Sequence, residues 1–292
     1  MKNVGILGFG EAGSAFAHLL VGEGASVLAY DKSWDEPNST VKRTCKDDNV
    51  RFCSLSDLLA SSEIILSTVT TDAALVAARD CVPNLRPQQY YCDLNSTAPS
   101  VKINLHSTVV PTGAKFVEGA ILGAIGVAGG RTKILLGGPH AYALSEILNG
   151  VGLQTSPYST EIGKASTFKM LRSIFSKGLE ALVIEFLMAG RAAGLEKELW
   201  QEVTTLLATN SFDDVTRNWV CSHCVAHERR FHEMVQVTDL LKEMNQDTLM
   251  TDATLAFFKR STDLKLSQDF PSKPDRMDNV LDVLMKLISA RS

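Results

Sequence analysis

The sequence lacks any uninterrupted apolar run of the ~20 residues that a helix needs to cross a bilayer. Its most apolar helical stretch, residues 179–193, is interrupted by Glu180, Glu185 and Arg191. The first residues turn glycine-rich at once and show no apolar segment of ~7 to 15 residues that ends at a small-residue cleavage site. We therefore expect a cytoplasmic protein with no membrane partner.

Basic residues are not in excess, because 29 Lys and Arg stand against 33 Asp and Glu and give a net charge of -4. Such a chain has no general positive field with which to hold a polyphosphate backbone. Nucleic acid is therefore not an expected partner.

Cysteine is also scarce, with six residues among 292, which favours reduced thiols over a disulfide framework. Cys221 and Cys224, followed by His227 and His232, have a spacing that would suit a zinc site on one helical face. A structural zinc site usually needs a second pair of ligands at a turn, and none follows here. We expect these thiols to pack in the helical part of the chain, and we expect no metal.

Apolar residues make up 45% of the chain and charged residues 21%, which suits a globular protein of about two domains. Residues 1–161 alternate short apolar runs with helical segments, a pattern typical of an α/β domain with a parallel sheet. Residues 162–292 place apolar side chains three and four positions apart, which predicts an all-α domain that begins with a long helix over 165–193. The predicted strands cover residues 4–7, 26–30, 63–68, 90–93, 116–117 and 133–136.

A glycine-rich loop joins the first predicted strand to the first predicted helix. Its sequence is Gly8-Phe9-Gly10-Glu11-Ala12-Gly13, and Asp31 ends the next predicted strand. This spacing is that of a Rossmann-type dinucleotide-binding domain, in which the helix N-terminus binds the pyrophosphate and the acid binds the ribose hydroxyls. Asp31 favours NAD, whereas Lys32 and Ser33 beside it could hold the extra phosphate of NADP. Thr68 and Val69 complete the predicted cofactor site.

Three further stretches resemble the β-hydroxyacid dehydrogenases, the family of 3-hydroxyisobutyrate and 6-phosphogluconate dehydrogenases. Residues 93–99, Asp-Leu-Asn-Ser-Thr-Ala-Pro, resemble the substrate loop of that family. Residues 117–124 occupy the place of its Asp-Ala-Pro-Val-Ser-Gly-Gly element, and residues 162–169 match the element that carries its catalytic lysine. The resemblance implies that Lys169 is the catalytic residue and that Ser96, Thr97 and Gly123 contact the substrate.

Some residues depart from the family pattern. Leu122 replaces the family serine that contacts the acid group of the substrate, and Ser173, which we also expect at the substrate, replaces an asparagine one turn beyond the lysine. The second half resembles a subgroup of unknown function with a phosphogluconate-dehydrogenase-like C-terminal domain. Its signature is Arg229-Arg230-Phe231-His232-Glu233-Met234. Arg229, Arg230 and His232 could supply the lost anion contacts, although an ordinary charged helix face would have the same composition.

The predicted chemistry is hydride transfer between a nicotinamide cofactor and a small 3-hydroxyacid-like alcohol that bears an anionic group. Lys169 would accept the hydroxyl proton in oxidation and return it in reduction, because burial and a neighbouring positive charge lower the pKa of a lysine. Two alternatives remain open. One is an imine-reductase-like enzyme, and the other is a dinucleotide-binding sensor without turnover. The family and the long apolar helix also imply a homodimer.

Overall fold

The computed structural model describes residues 3–36, 39, 41, 45 and 49–290. The chain forms two compact units, Met1–Ile174 and Phe175–Ser292. The division falls inside a long helix rather than at its start. A functional boundary between residues 161 and 162 stays a prediction.

The first unit is built on one sheet, in which the described residues form eight strands in the order β3-β2-β1-β4-β5-β6-β7-β8. Strands β1 to β6 pair in parallel, β7 runs antiparallel to β6, and β8 runs parallel to β7. The order 3-2-1-4-5-6 is that of the Rossmann fold, so the predicted fold class is confirmed. The strands are β1 Asn3–Leu7, β2 Ser26–Tyr30, β3 Val50–Phe52, β4 Ile64–Ser67, β5 Tyr90–Asp93, β6 Lys115–Leu122, β7 Lys133–Gly137 and β8 Thr155–Ser159.

Helices cover both faces of this sheet. Successive residues of a strand point to opposite faces, and in β4 Ile64 and Leu66 join one buried apolar cluster while Ile65 joins another. A sheet buried on both faces explains why its inner strands are nearly continuous apolar runs. The helices that follow the strands are α1 Glu11–Gly22, α2 Leu55–Ser61, α3 Ala74–Cys81, α4 Pro99–Val109, α5 Ile125–Ala128 and α6 Ala141–Asn149.

The second unit is helical in its described residues, as the apolar spacing predicts. The long helix α7, Lys164–Ala192, enters this unit from the first and ends before Gly194, which takes a left-handed φ of 73°. Cys224, Leu266 and Val280 form a small buried cluster. No helix within the described ranges is both long and apolar enough to cross a membrane. The remaining helices are α8 Glu196–Thr209, α9 Phe212–Glu243, α10 Leu249–Asp263 and α11 Met277–Ser289.

Two strands, β3 and β8, were not predicted from the sequence, and both lie at the edges of the sheet. β3 has only three residues and exposes Arg51, and β8 contains Pro157, which an edge strand tolerates. β6 is also longer than the predicted strand over residues 116–117, because the strand continues through the buried Glu118 and Gly119. Edge position and buried polar residues both remove the apolar pattern by which a strand is recognised.

Candidate active site

The glycine-rich loop follows β1, and each of its three glycines has a different structural role. Gly8 has a left-handed φ of 91°, and a Cβ added at Gly13 would lie 2.1 Å from the carbonyl oxygen of Gly8. A Cβ added at Gly10 would meet no protein atom within 4 Å. The first and third glycines are therefore required by the fold, whereas the second leaves open space in front of the loop.

That open space belongs to a cavity of about 610 Å³ at the carboxyl ends of β1, β2 and β4. Ala12 and Gly13 lie in the first turn of α1 and are not part of the cavity wall. Ser33 and Thr70 line the cavity beside the predicted cofactor residues. The predicted residues in its wall are Gly8, Phe9, Gly10, Glu11, Asp31, Lys32, Thr68 and Val69.

Asp31 connects the glycine-rich loop to the turn after β2. Its Oδ2 accepts a hydrogen bond from the Phe9 amide at 2.8 Å. Its Oδ1 accepts hydrogen bonds from the Ser33 amide at 3.0 Å and from the Ser33 hydroxyl at 2.8 Å. On the other side, the Thr68 hydroxyl donates to the Gly8 carbonyl at 2.7 Å. The loop is thus held from two neighbouring strands.

These features fit a nicotinamide dinucleotide. Gly10 occupies the N-cap of α1 and has no side chain that could accept hydrogen bonds from the first-turn amides. Such amides and the positive end of the helix dipole bind phosphate groups. The open space at Gly10 and an acid at the end of β2 complete the arrangement for a pyrophosphate and a ribose.

Ser96 and Lys169 meet in the first unit, although 73 residues separate them in the chain. Ser96 lies in the loop between β5 and α4 and is exposed, and Lys169 lies in α7 and is half-buried. The Lys169 Nζ donates a hydrogen bond to the Ser96 Oγ at 2.5 Å. Thr97, in contrast, is only 3% exposed, and its hydroxyl has no hydrogen-bond partner in the described part of the chain. An incoming ligand can therefore reach the Ser96 hydroxyl more readily than that of Thr97.

A buried lysine supports the loop that carries Ser96. Lys102 of α4 donates from its Nζ to the carbonyl oxygens of Asp93 at 3.0 Å and Asn95 at 2.7 Å, and its Nζ also contacts the Asp93 Oδ2. Burial raises the pKa of the Asp93 carboxyl, although the Lys102 ammonium opposes the shift. Sequence reasoning missed Lys102. The signal was its helical spacing with Leu105 and Val109, which form the buried face of α4.

A buried carboxylate holds the start of the helix that carries Lys169. The Glu118 Oε1 accepts hydrogen bonds from the amides of Gly163 at 2.8 Å and Ala165 at 3.0 Å. The Ser166 hydroxyl donates to Oε2 at 2.7 Å. A carboxylate at a helix N-terminus is favoured both by the unpaired amides and by the helix dipole. Glu118 lies in the family-like element of residues 117–124, but no role was predicted for it from the sequence.

The other two predicted substrate residues of the first unit are Gly123, which follows β6, and Ser173, which lies in α7 one turn after Lys169. Gly123 follows β6 with a φ of 143°, a conformation that favours glycine. The Ser173 hydroxyl donates to the carbonyl oxygen of Lys169 at 3.0 Å, one turn earlier in the same helix. The Ser173 hydroxyl is thus engaged within α7, and its contact with a substrate stays a prediction.

The predicted anion-binding residues of the second unit make local contacts on α9. Arg229 forms an ion pair with Glu233 one turn later, and Arg230 donates to the Ser222 hydroxyl at 2.7 Å. His232 is exposed. These contacts are those of a charged helix face, and the role of the three residues in substrate binding stays a prediction.

Two cysteines and two histidines of α9 are buried, namely Cys221, His223, Cys224 and His227. All six cysteines of the chain are free, and Cys221 and Cys224 are buried as expected. His223 shares a hydrogen bond of 2.8 Å with the Ser261 hydroxyl of α10. No group of three or more His, Cys, Asp or Glu side chains in the described residues is arranged to hold a metal ion.

The chain is similar to known proteins in sequence and in fold. Residues 3–156 match the family described as the NAD binding domain of 6-phosphogluconate dehydrogenase. An uncharacterized 28.5 kDa protein in the 7S RNA 5' region of Methanothermus fervidus is 27% identical over 257 residues, which are 88% of this chain and 97% of that protein.

Two solved structures extend the similarity over nearly the whole chain. A conserved protein of unknown function, described as structurally similar to 3-hydroxyacid dehydrogenases, is 30% identical with a TM-score of 0.59, over 91% of this chain and 98% of that one. A variant of an imine reductase from Myxococcus stipitatus, solved with NAD+, has the same fold at 19% identity, with a TM-score of 0.72 over 96% of this chain and 99% of its own. The expected resemblance is confirmed: the protein belongs to the family of the NAD binding domain of 6-phosphogluconate dehydrogenase, the NAD(P)-binding dehydrogenases with a 3-hydroxyacid-dehydrogenase-like fold.

Proposed function

We propose that the protein is an oxidoreductase that interconverts a small 3-hydroxyacid-like alcohol, bearing an anionic group, and its carbonyl form, with Lys169 as general acid and base. The observation that carries this proposal is the hydrogen bond of 2.5 Å between Lys169 and the exposed Ser96 hydroxyl. Ser96 also lies next to the dinucleotide cavity, because the hydroxyl of Thr71, which follows the cavity residue Thr70, donates to its carbonyl oxygen at 3.4 Å. A substrate oxygen bound by this pair would therefore lie at the carboxyl edge of the sheet, where α/β folds bind ligands.

The proton chemistry follows from the residues of this pair. A bound nicotinamide cofactor accepts or donates the hydride. During oxidation the substrate hydroxyl must lose its proton, and the neutral Nζ of Lys169 accepts it within hydrogen-bond distance. During reduction the protonated Nζ returns this proton to the substrate oxygen. Ser96 orients the substrate oxygen, because its hydroxyl can donate to that oxygen while it accepts from Lys169.

The substrate panel that tests the proposal contains short 3-hydroxyacids with each oxidised cofactor and cyclic imines with each reduced cofactor. We expect turnover of a hydroxyacid. Turnover of imines alone would favour the second candidate, imine reduction, which the fold shared with an imine reductase supports. Cofactor binding without turnover of either class would favour the dinucleotide-binding sensor.

For the cofactor we propose NAD rather than NADP. The Asp31 carboxylate lines the cavity, and its negative charge would repel the 2'-phosphate of NADP. Titration with NADH and NADPH, followed by energy transfer from the three Trp residues, should show tighter binding of NADH. In the Asp31→Asn variant, the difference in affinity between NADH and NADPH should be smaller than in the wild-type protein. Tighter binding of NADPH by the wild-type protein would instead assign the phosphate to Lys32 and Ser33.

We also propose that the protein is a homodimer. Helix α7 exposes apolar side chains along its length, among them Leu171, Ile174, Phe175 and Leu182, and Ile174 is 71% exposed. Exposed apolar patches of this kind mark protein interfaces, and a second copy of the chain would cover them. Light scattering should give the mass of a dimer, and a stable monomer at working concentrations would contradict the proposal.

A further inference from the structure

Two buried carboxylates lie side by side where β5 and β6 are paired. Asp93 and Glu118 are partners in the register of these strands, and both are fully buried. Each binds a different element. Asp93 contacts the ammonium of Lys102, and Glu118 binds the first turn of α7.

We propose that Lys102 and Glu118 are positioning residues that together set the distance between Ser96 and Lys169. Lys102 fixes the carbonyl oxygens of Asp93 and Asn95, and Asn95 directly precedes Ser96. Glu118 fixes Ser166, which stands one helical turn before Lys169. The inference rests on the proposed function where it is tested by enzyme kinetics. A second test, chemical labelling of Lys169, does not depend on turnover.

Two glycines of the sheet make this arrangement sterically possible. A Cβ added at Gly137 would lie 2.5 Å from the Glu118 Oε1, and Gly137 is the register partner of Glu118 in β7. A Cβ added at Gly119 would lie 2.3 Å from Leu94, in the loop that Lys102 holds. The fold thus leaves room for the Glu118 carboxylate and for close packing of the loop.

The length of the Glu118 side chain is what sets the start of α7. An aspartate is one methylene shorter, so it can keep its hydrogen bonds only if the helix start moves. A glutamine keeps the length but loses the charge that stabilises a helix N-terminus. Displacement of a catalytic group by ~1 Å can cost about 100-fold in rate.

The first experiment compares Glu118→Asp and Glu118→Gln with Glu161→Gln. Glu161 is a suitable control because its exposed carboxylate pairs with Lys164 near the same helix start. We expect kcat to fall by about 100-fold in Glu118→Asp and less in Glu118→Gln, with NADH affinity unchanged. Leu144→Ala, a truncation in the buried core of α6, controls for loss of stability alone.

The second readout needs no substrate. The Lys169 and Lys164 amines are acetylated competitively, and the rates are measured by mass spectrometry of their peptides over about pH 6 to 11. In the wild-type protein the hydrogen bond to Ser96 should slow Lys169 relative to Lys164. We expect Lys169 to gain reactivity in Glu118→Asp and not in Leu144→Ala. Glu161→Gln serves only the kinetic comparison, because it removes the ion-pair partner of the reference amine Lys164.

Lys102 needs a paired design, because removing it alone leaves the Asp93 carboxylate buried without its cationic partner. The double variant Asp93→Asn with Lys102→Met removes both charges and should fold. We expect it to bind NADH normally, to lose kcat by at least about tenfold and to release Lys169 for acetylation.

The outcomes separate the two proposals. Wild-type labelling profiles of Lys169 in Glu118→Asp and in the double variant would overturn the positioning role, whatever the turnover. Altered labelling in both variants without turnover of any substrate by the wild-type protein would support the positioning role and contradict the proposed function.

Discussion

At the scale of single residues, the glycine-rich loop separates what the fold needs from what a ligand needs. Gly8 and Gly13 have backbone or packing reasons to be glycine, whereas a side chain at Gly10 would meet no protein atom. Gly10 has a φ of -78° in the extended region, outside the left-handed region that favours glycine. The only cost of a side chain there falls on a ligand that must approach the backbone closely.

Gly10→Ala should therefore weaken NADH binding by at least about tenfold, which corresponds to ~1.4 kcal/mol, and leave the melting temperature unchanged. Gly22→Ala is the matched control, because its added Cβ also meets no atom within 4 Å and Gly22 lies at the other end of α1. Fluorescence titration and thermal unfolding measure the two quantities. Wild-type affinity in Gly10→Ala would show that the loop does not hold the pyrophosphate.

The residues that could be predicted from the sequence are those that belong to a contiguous motif. The glycine-rich loop, Asp31, Ser96 and Lys169 each stand in a short local sequence pattern, and their roles in cofactor binding and catalysis stay predictions. Glu118 could not be predicted, because charged residues are usually exposed and its partners are distant in the chain. Lys102 was missed although its helical spacing places it on the buried face of α4. Only the fold brings the Ser166 hydroxyl to Glu118 across 48 residues.

At the scale of elements, interior strands were predictable and edge strands were not. β1, β2, β4 and β5 are buried runs of mainly apolar residues that the sequence shows directly.

A second feature at the scale of elements is a glutamate that holds the start of a helix. Glu185 of α7 accepts hydrogen bonds from the amides of Met250 and Thr251, each at 2.8 Å, at the beginning of α10.

Glu185→Ala should destabilise the start of α10 by about 1 kcal/mol, the usual cost of losing an N-terminal cap. Burial raises the pKa of the Glu185 carboxyl, but hydrogen bonds from Thr251 and Met250 outweigh it, so the net pKa is lowered and the charged form prevails at neutral pH. Hydrogen exchange at the amides of Met250 and Thr251 should become faster in the variant. Unchanged exchange there, or equal acceleration in Glu180→Ala on an exposed site of the same helix, would contradict this assignment.

At the scale of the whole molecule, acid should destabilise the protein through His223. Burial, followed by the positive charges of His227, Arg230 and Arg260, lowers the pKa of His223 to about 4 from 6.5. The unfolded chain therefore binds a proton more readily than the folded chain, and stability falls as pH drops from about 6.5 towards about 4. The loss attributable to His223 at pH ~5 is roughly 2 kcal/mol.

Urea unfolding at about pH 7.5 and 5 tests this prediction. His223→Gln should have a smaller difference in the free energy of unfolding between the two conditions than the wild-type protein. His232→Gln, on an exposed site of the same helix, should retain the wild-type difference. An identical difference in all three proteins would rule out His223 as the group that titrates.

For the molecule as a whole, we propose that Lys169 moves the substrate proton while the glycine-rich loop holds the cofactor. Lys169→Met removes the amine and keeps an unbranched side chain, and Lys164→Met makes the same change at an exposed lysine of the same helix. The most direct test measures kcat and NADH affinity for both variants. Lys169→Met should lower kcat by about 100-fold to 10,000-fold with NADH affinity preserved, and Lys164→Met should match the wild-type protein. Wild-type kcat in Lys169→Met would contradict the role of Lys169 as general acid and base.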